Sequence, residues 1–290
     1  MILALFKTMR PRQWSKNIVV LAPLFFDRQL GNLEGVLRTA AALALFCLLS
    51  SSVYIVNDLV DLKADQQHPK KKLRPLPSGQ LSIPAAVSAA VVILTVTLTF
   101  SYLLSPAFFS IAAGYFLLNL AYSKWLKHIA LIDVMVIAAG FVLRVAGGVS
   151  VIHVKLFSPW LYVVTTLLAL YLGFGKRRAE LALLDADANV HRKVLESYTL
   201  PLLDQIITII SGSTLVAYCL YTFLSPISPD NHAMMLTIPF VIYGIFRYLY
   251  LVQVKHSGGA PEDMLLTDRP LQLAILLYGL TILIIFYTID

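Results

Sequence analysis

The chain has 290 residues, of which 58% are hydrophobic and only 13% are charged, and its formal net charge is +7. An ordinary soluble domain carries about 25% charged residues, so this composition excludes a soluble globular protein. In a soluble protein the positive charge would suggest nucleic acid. Here the basic residues lie between apolar runs, where they set membrane topology, and we expect no nucleic-acid partner.

Nine apolar runs approach or reach the ~20 residues that a helix needs to cross a bilayer. They predict an all-α, polytopic membrane protein, because a backbone in lipid must satisfy its hydrogen bonds within helices. The predicted spans lie at about 17–31, 37–57, 82–104, 106–122, 129–150, 159–175, 202–224, 233–253 and 270–288. Prolines near several predicted starts support these boundaries, since a missing N–H costs little in a first helical turn.

Most of the 23 Lys and Arg residues fall in links that lie on one side of the membrane. The positive-inside rule places this side in the cytoplasm. We therefore expect the N-terminus inside and the C-terminus outside, with every long polar loop on the cytoplasmic face.

An acidic motif, Asn57-Asp58-x-x-Asp61-x-x-x-Asp65, follows the second predicted span. On a helix, which advances about 100° per residue, its four side chains share one arc of about 100°. Carboxylates so close repel one another at a membrane helix, and this favours a bound cation. Oxygen ligands alone favour a hard ion, Mg²⁺ or Mn²⁺, that bridges to a substrate phosphate. Asp58, Asp61 and Asp65 are therefore the predicted metal ligands and catalytic residues; the alternative is a solvated helix end.

The most basic stretch of the chain follows this motif, between His68 and Gly79. Its three consecutive lysines either close over bound phosphates or attract anionic lipid head groups, and both interpretations stay open. Arg74 stands beside Pro75, which restricts the local backbone, and we predict that Arg74 contacts the ligand.

The acidic motif and the Arg-Pro-Leu-Pro-Ser-Gly segment at residues 74–79 resemble the UbiA superfamily of intramembrane prenyltransferases. The resemblance extends over most of the chain, so residues 1–290 are expected to form one transmembrane domain. It implies nine helices around a central cavity, with a cytoplasmic cap formed by loops at about 58–81 and 176–200. It also implies activation of a diphosphate by Mg²⁺.

The chain departs from the superfamily pattern after the sixth predicted helix, where a second acidic Asp-x-x-x-Asp motif is usual. It has Gly-Lys-Arg-Arg-Ala-Glu-Leu at residues 175–181 instead. Basic side chains there can bind an additional phosphate, which an isoprenyl diphosphate lacks. A role in topology alone stays open for these bases, as does snorkelling of Arg247 to the membrane surface. Besides Asn57 and Arg74, the predicted substrate-binding residues are Lys176, Arg177, Glu180, Asp187, Lys193, Tyr198 and Arg247.

Three segments, at residues 9–17, 175–181 and 261–269, resemble one branch of the superfamily, the decaprenyl-phosphate phosphoribosyltransferases. This branch implies 5-phosphoribosyl 1-diphosphate as the donor and a polyprenyl phosphate as the acceptor, in a bacterial plasma membrane. Two alternatives stay open: transfer of an isoprenyl group to an aromatic acceptor, and an ion or lipid-phosphate transporter. A transporter requires acids along a path, whereas these acids crowd one end of the bundle.

Arg144 lies deep in the fifth predicted span, too far along the helix for the donor. We expect it to have a carbonyl or aspartate partner inside the bundle, because a charge in the membrane interior is costly without one.

Overall fold

The computed structural model describes residues 1–69, 71–154, 158–184, 193–226, 228, 231–255, 264–265 and 267–289. Over these ranges the regular secondary structure is entirely helical. Seven of the described helices are long and apolar enough to cross a membrane, and the chain is an integral membrane protein of the all-α class. These candidate spans are Leu33–Val60, Ile83–Leu104, Pro106–Lys124, Ile132–Val149, Leu200–Leu224, Ala233–Gln253 and Arg269–Thr288.

The first predicted span, at 17–31, is not one long helix. Residues Pro11–Leu21 form a 3₁₀ helix, and Ala22–Phe26 form a short α-helix. Pro23 lacks the N–H that a continuous α-helix would use for its backbone hydrogen bond, which explains part of the difference. The sixth predicted span forms the helix Pro159–Leu184, which extends well beyond its predicted end.

The first of two compact units comprises residues 1–136 and 140–154. Its helices are α1 (Ile2–Thr8), α2 (Ala22–Phe26), α3 (Leu33–Val60), α4 (Leu62–Gln67), α5 (Ile83–Leu104), α6 (Pro106–Lys124) and most of α7 (Ile132–Val149). Within this unit, α3 packs against α5, α6 and the 3₁₀ helix.

Aromatic side chains pack around the middle of α3, and α7 lies close to the 3₁₀ helix. Phe46 is fully buried, and its ring meets those of Phe108 and Tyr115 edge to face, with centroids 5.5 and 5.6 Å away. A Cβ added to Gly148 of α7 would lie 2.0 Å from the carbonyl oxygen of Val20. Only glycine therefore allows α7 to contact the 3₁₀ helix in this way.

Several helix starts follow signals that are visible in the sequence. Ser82, Ser105 and Thr199 each accept a hydrogen bond from the backbone N–H three residues later, at 3.3 to 3.4 Å. A proline in the first turn follows each of these caps, as predicted. Such caps satisfy backbone donors that a helix leaves unpaired.

The second unit comprises residues 137–139 and 155–290. Within it, α8 packs against α9 and α10, and α10 packs against α11. The helices are α8 (Pro159–Leu184), α9 (Leu200–Leu224), α10 (Ile238–Gln253) and α11 (Arg269–Ile284).

Two tyrosines join α8 to α10. The hydroxyl of Tyr171 donates to the carbonyl of Ile245 at 2.7 Å, and that of Tyr248 donates to the carbonyl of Leu172 at 3.2 Å. Gly175 leaves room for this contact, because a Cβ there would lie 2.7 Å from the Tyr248 hydroxyl oxygen. The basic segment that begins at Gly175 is thus continuous with a well-packed part of α8.

Candidate functional site

The acidic motif spans a break between α3 and α4. Asp61 lies between the two helices with φ −90° and ψ 5°, outside the α-helical region. Asp58 and Asp65 are each only 2% exposed, whereas the side chain of Asp61 is 40% exposed. The prediction that all the acids share one helix face is therefore wrong for Asp61, because the helix is interrupted at that residue.

Basic side chains contact the two buried carboxylates. Arg74 lies between them, with its Nη1 2.6 Å from Oδ2 of Asp65 and 3.4 Å from Oδ1 of Asp58. The Nζ of Lys71 lies 3.6 Å from Oδ1 of Asp65, and Arg10 donates a hydrogen bond to Oδ1 of Asp58. The basic loop after α4 therefore folds back onto the acidic motif.

Arg10 reaches this site from the N-terminal segment. Its backbone is left-handed, with φ 53° and ψ 63°, and its guanidinium carbon lies 5.0 Å from the centroid of the Tyr54 ring. The following 3₁₀ helix is attached to α3 by a hydrogen bond from Trp14 Nε1 to Ser51 Oγ at 3.0 Å. A strained backbone costs about 1–3 kcal/mol and persists only where its surroundings hold it, here through these contacts.

The other two motif residues contact the end of α6 and the turn after it. The Nζ of Lys127, in the 3₁₀ turn Leu126–His128, lies 2.7 Å from Oδ1 of Asp61. The hydroxyl of Ser123 donates to the amide oxygen of Asn57. The region around α6 thus fixes both the first residue of the motif and its most exposed acid.

Two of the three acids provide a site that fits a hard divalent cation. Within the described ranges, no group of three His, Cys, Asp or Glu side chains is placed to hold one metal ion. Asp58 and Asp65 do converge, because one nitrogen of Arg74 contacts both. Mg²⁺ usually takes one or two protein carboxylates and completes its shell with waters and substrate phosphates. The pair fits such an ion once Arg74 withdraws from it.

The segment that replaces the second acidic motif forms the end of α8 and carries both basic and acidic side chains. Arg177 is only 1% exposed, and its Nη1 lies 2.7 Å from Oε2 of Glu180. Arg178 donates to both carboxylate oxygens of Asp204 on α9, at 2.6 and 3.5 Å. Arg178 therefore joins two helices, whereas Arg177 and Glu180 lie on another side of α8.

Arg247, a predicted phosphate contact, is paired with an acid in this structure. It donates two hydrogen bonds to Asp268, at 3.1 and 2.8 Å. These bonds hold the pKa of the Asp268 carboxyl below its ordinary value. Asp268 also caps α11 by accepting from the N–H of Leu271 at 2.9 Å. A guanidinium has five N–H donors and Asp268 accepts from two of them, so Arg247 can contact a phosphate while it keeps this ion pair.

Of the remaining predicted substrate contacts, the structure describes Tyr198 and Lys176. Tyr198 is 4% exposed and directly follows the 3₁₀ helix Lys193–Ser197. Lys176 is half-buried on α8. Asp187 and the side chain of Lys193 lie outside the described residues, so their predicted roles stay predictions.

The sequence alone does not assign Arg10, Lys127 or Ser123 to the site. Arg10 and Lys127 belong to the basic residues that set membrane topology, and both are predicted to lie on the same side of the membrane as the acidic motif. Charge balance is the sequence feature that points to such partners, because three acids at the end of a membrane helix need nearby cations. Nothing in the sequence specifies which cation pairs with which acid.

Arg144 confirms the expectation of a carbonyl partner. It is 6% exposed and donates to the Gly140 carbonyl at 2.9 Å, to Asn17 Oδ1 at 2.7 Å and to the Tyr115 hydroxyl at 2.7 Å. Its guanidinium carbon also lies 4.7 Å from the centroid of the Tyr115 ring. These polar and aromatic contacts compensate a charge buried in the first unit.

Residues 25–276 match the UbiA prenyltransferase family, and the chain belongs to this family. The decaprenyl-phosphate phosphoribosyltransferase of Corynebacterium glutamicum is 34% identical over 291 residues, with 98% of this chain and 86% of the relative covered. The enzyme of the same name from Mycobacterium tuberculosis is 34% identical over 290 residues, with 97% of this chain and 94% of the relative covered.

Solved structures show the same fold. A UbiA homolog from Archaeoglobus fulgidus, bound to DMAPP and Mg²⁺, superposes with a TM-score of 0.73. The similarity covers 98% of this chain and 99% of that chain at 15% sequence identity. At this identity the likeness establishes the helical architecture.

Proposed function

We propose that this protein transfers a 5-phosphoribosyl group from 5-phosphoribosyl 1-diphosphate to a polyprenyl phosphate, with release of diphosphate. The carrying observation is the pairing of two buried carboxylates, Asp58 and Asp65, with the basic side chains of Arg10, Lys71 and Arg74. Such a site offers ligands for a metal and several contacts for phosphates. The names of the two bacterial relatives support this choice of transferred group and acceptor.

Asp58, Asp61 and Asp65 are the proposed ligands of Mg²⁺, for which Mn²⁺ can substitute. Asp58 and Asp65 already converge, and Asp61 joins them once it separates from Lys127. When bound, this ion neutralises the charge that develops on the leaving diphosphate. Arg74 and Asn57 orient the donor from the same motif and its loop. The other proposed donor contacts come later in the chain, namely Lys176, Arg177, Glu180, Asp187, Lys193, Tyr198 and Arg247.

The acceptor in this scheme is a lipid phosphate, which is already ionised near neutral pH. One of its oxygens forms the new bond to C1 of the ribose while the bond from C1 to the diphosphate breaks. Because no proton has to leave the nucleophile, the site needs no strong general base. Attack opposite the leaving group predicts inversion at C1.

The proposal also includes the finer membrane arrangement. Nine helices surround a central cavity, the N-terminus and the cap are cytoplasmic, and the C-terminus is outside. The donor arrives from the cytoplasm, and the lipid enters laterally between helices. The excess of basic residues in the predicted cytoplasmic links supports this orientation.

A second candidate function is transfer of an isoprenyl group to an aromatic acceptor. It is favoured by the fold shared with the Archaeoglobus fulgidus homolog, which was solved with DMAPP and Mg²⁺. Membranes that contain the protein can be incubated with labelled phosphoribosyl diphosphate and decaprenyl phosphate, and separately with labelled farnesyl diphosphate and an aromatic acid. We expect a labelled lipid product in the first incubation. A product in the second incubation alone would refute the proposed function.

Substitutions in the motif test where the reaction takes place. Asp58→Asn and Asp65→Asn should each abolish transfer while the protein remains folded in detergent. Glu34→Gln is the matched control, because Glu34 lies in the first turn of the same helix with its side chain 79% exposed. Wild-type rates in either aspartate variant would exclude this pair as the metal site.

A further inference from the structure

Each carboxylate of the acidic motif has a basic partner within the protein. The pairs are Asp58 with Arg10 and Arg74, Asp65 with Arg74 and Lys71, and Asp61 with Lys127. Three negative charges are therefore contacted by four positive charges. The side chains of the site by themselves therefore carry an excess of positive charge.

This excess has a direct effect on metal binding. A divalent ion that enters alone must displace the resident bases and leaves them close to it, where like charges repel. A divalent ion that arrives with a diphosphate brings a net negative charge, and the displaced bases then have phosphate oxygens as new partners. The charge balance therefore favours the metal–donor complex over the metal alone.

The exposure of the basic partners is consistent with such an exchange. The side chains of Asp58 and Asp65 are 3% exposed, whereas those of Arg10, Arg74 and Lys127 are 30%, 33% and 21% exposed. Long side chains with exposed ends can move between partners without a change in the helices. Asp58 and Asp65 are thus fixed by burial, whereas Arg10 and Arg74 can move. In the third pair the side chain of Asp61 is 40% exposed, so either partner can move when Lys127 and Asp61 separate.

We propose that Arg10, Arg74 and Lys127 are resident counter-ions of the acidic motif that exchange their carboxylates for donor phosphates as the divalent metal binds. Metal and donor consequently bind with positive coupling, and the metal alone binds weakly. The inference rests on the proposed function for the identity of the donor. The exchange itself requires only a diphosphate.

Lys127 gives the sharpest test, since its ion pair in this structure involves the single carboxylate of Asp61. Lys127→Gln removes a competitor of the metal and also a phosphate contact. The affinity of this variant for Mn²⁺ in the absence of donor should rise. Its affinity for the donor at saturating Mg²⁺ should fall. Each shift should be roughly tenfold, as expected for one charge at the edge of a protein site.

A matched control lies three residues earlier. Lys124 carries the same charge at the end of α6, but its Nζ lies 4.7 Å from the centroid of the Trp125 ring. Lys124→Gln should leave both affinities within about twofold of wild type. This variant separates the exchange of a specific partner from a general change in local charge.

The measurement uses the full-length protein in lipid nanodiscs without acceptor lipid. Free Mn²⁺ is counted by electron paramagnetic resonance, and donor binding is followed by calorimetry at saturating Mg²⁺. Opposite shifts in Lys127→Gln alone support the exchange. Unchanged Mn²⁺ affinity, a fall in both affinities, or the same shifts in Lys124→Gln would overturn it. With inorganic diphosphate as the probe, the shifts remain measurable even if phosphoribosyl diphosphate proves not to be the donor.

Discussion

Gly148→Ala tests whether the N-terminal segment is held against α7 as the structure shows. The added Cβ would lie 2.0 Å from the Val20 carbonyl oxygen and 3.1 Å from Pro23 Cδ. The closest obstacle is backbone, so no side-chain rotation relieves the clash and the two segments must separate. Overpacking of this kind costs about 1–3 kcal/mol, and we expect a loss of about 2 kcal/mol in the free energy of unfolding.

Gly114→Ala provides the control for this prediction. Gly114 lies inside α6 with nothing within 4 Å of the added Cβ. Alanine is the better helix former by up to about 1 kcal/mol, so this variant should be unchanged or more stable. Unfolding of both variants can be measured by titration with a denaturing detergent. If Gly148→Ala proved as stable as Gly114→Ala, the contact between α7 and the 3₁₀ helix would be wrong.

Two further predictions concern stability. Hydrogen bonds from Arg247 lower the pKa of Asp268 in the folded protein. The ion pair therefore stabilises the fold fully at pH values above the ordinary aspartate pKa of about 3.9. This stabilisation is lost as the pH falls through the lower pKa of the folded state. Arg247→Leu should therefore flatten the dependence of the unfolding midpoint on pH below about 4, and an unchanged slope would contradict this origin. Arg38 donates to two backbone carbonyls, at 2.7 and 2.8 Å, and Arg38→Ala should cost about 1–3 kcal/mol on detergent unfolding. Glu34→Gln, which leaves those bonds intact, should cost almost nothing, and equal losses would show that the Arg38–Glu34 ion pair is the important contact.

Most of the membrane helices could be predicted from the sequence because their signals are local. Long apolar runs have to become helices in lipid, and serine, threonine and proline mark several of their starts. The first predicted span failed because apolar composition does not distinguish a membrane-crossing α-helix from a 3₁₀ segment that packs against its neighbours. In the structure that segment contacts α3 and α7 through Trp14 and Val20, which are contacts that no local pattern reveals.

The acidic motif could be predicted as a site, but its pairing could not. A regular helix places Asp61 beside Asp58 and Asp65, whereas the real chain breaks at Asp61 and turns it toward a different partner. Arg10 lies 48 residues before Asp58, and Lys127 lies 66 residues after Asp61. Such distant pairs depend on the packing of whole helices, which charge and periodicity alone do not determine.

A donor with two labels tests the proposed reaction most directly. One phosphorus isotope marks the 5-phosphate of phosphoribosyl diphosphate and another marks its diphosphate, and the purified protein receives decaprenyl phosphate and Mg²⁺. We predict that the 5-phosphate label enters the lipid fraction while the diphosphate label stays in water. Asp65→Asn should abolish the transfer of the 5-phosphate label. No label in the lipid fraction, or both labels there, would contradict phosphoribosyl transfer.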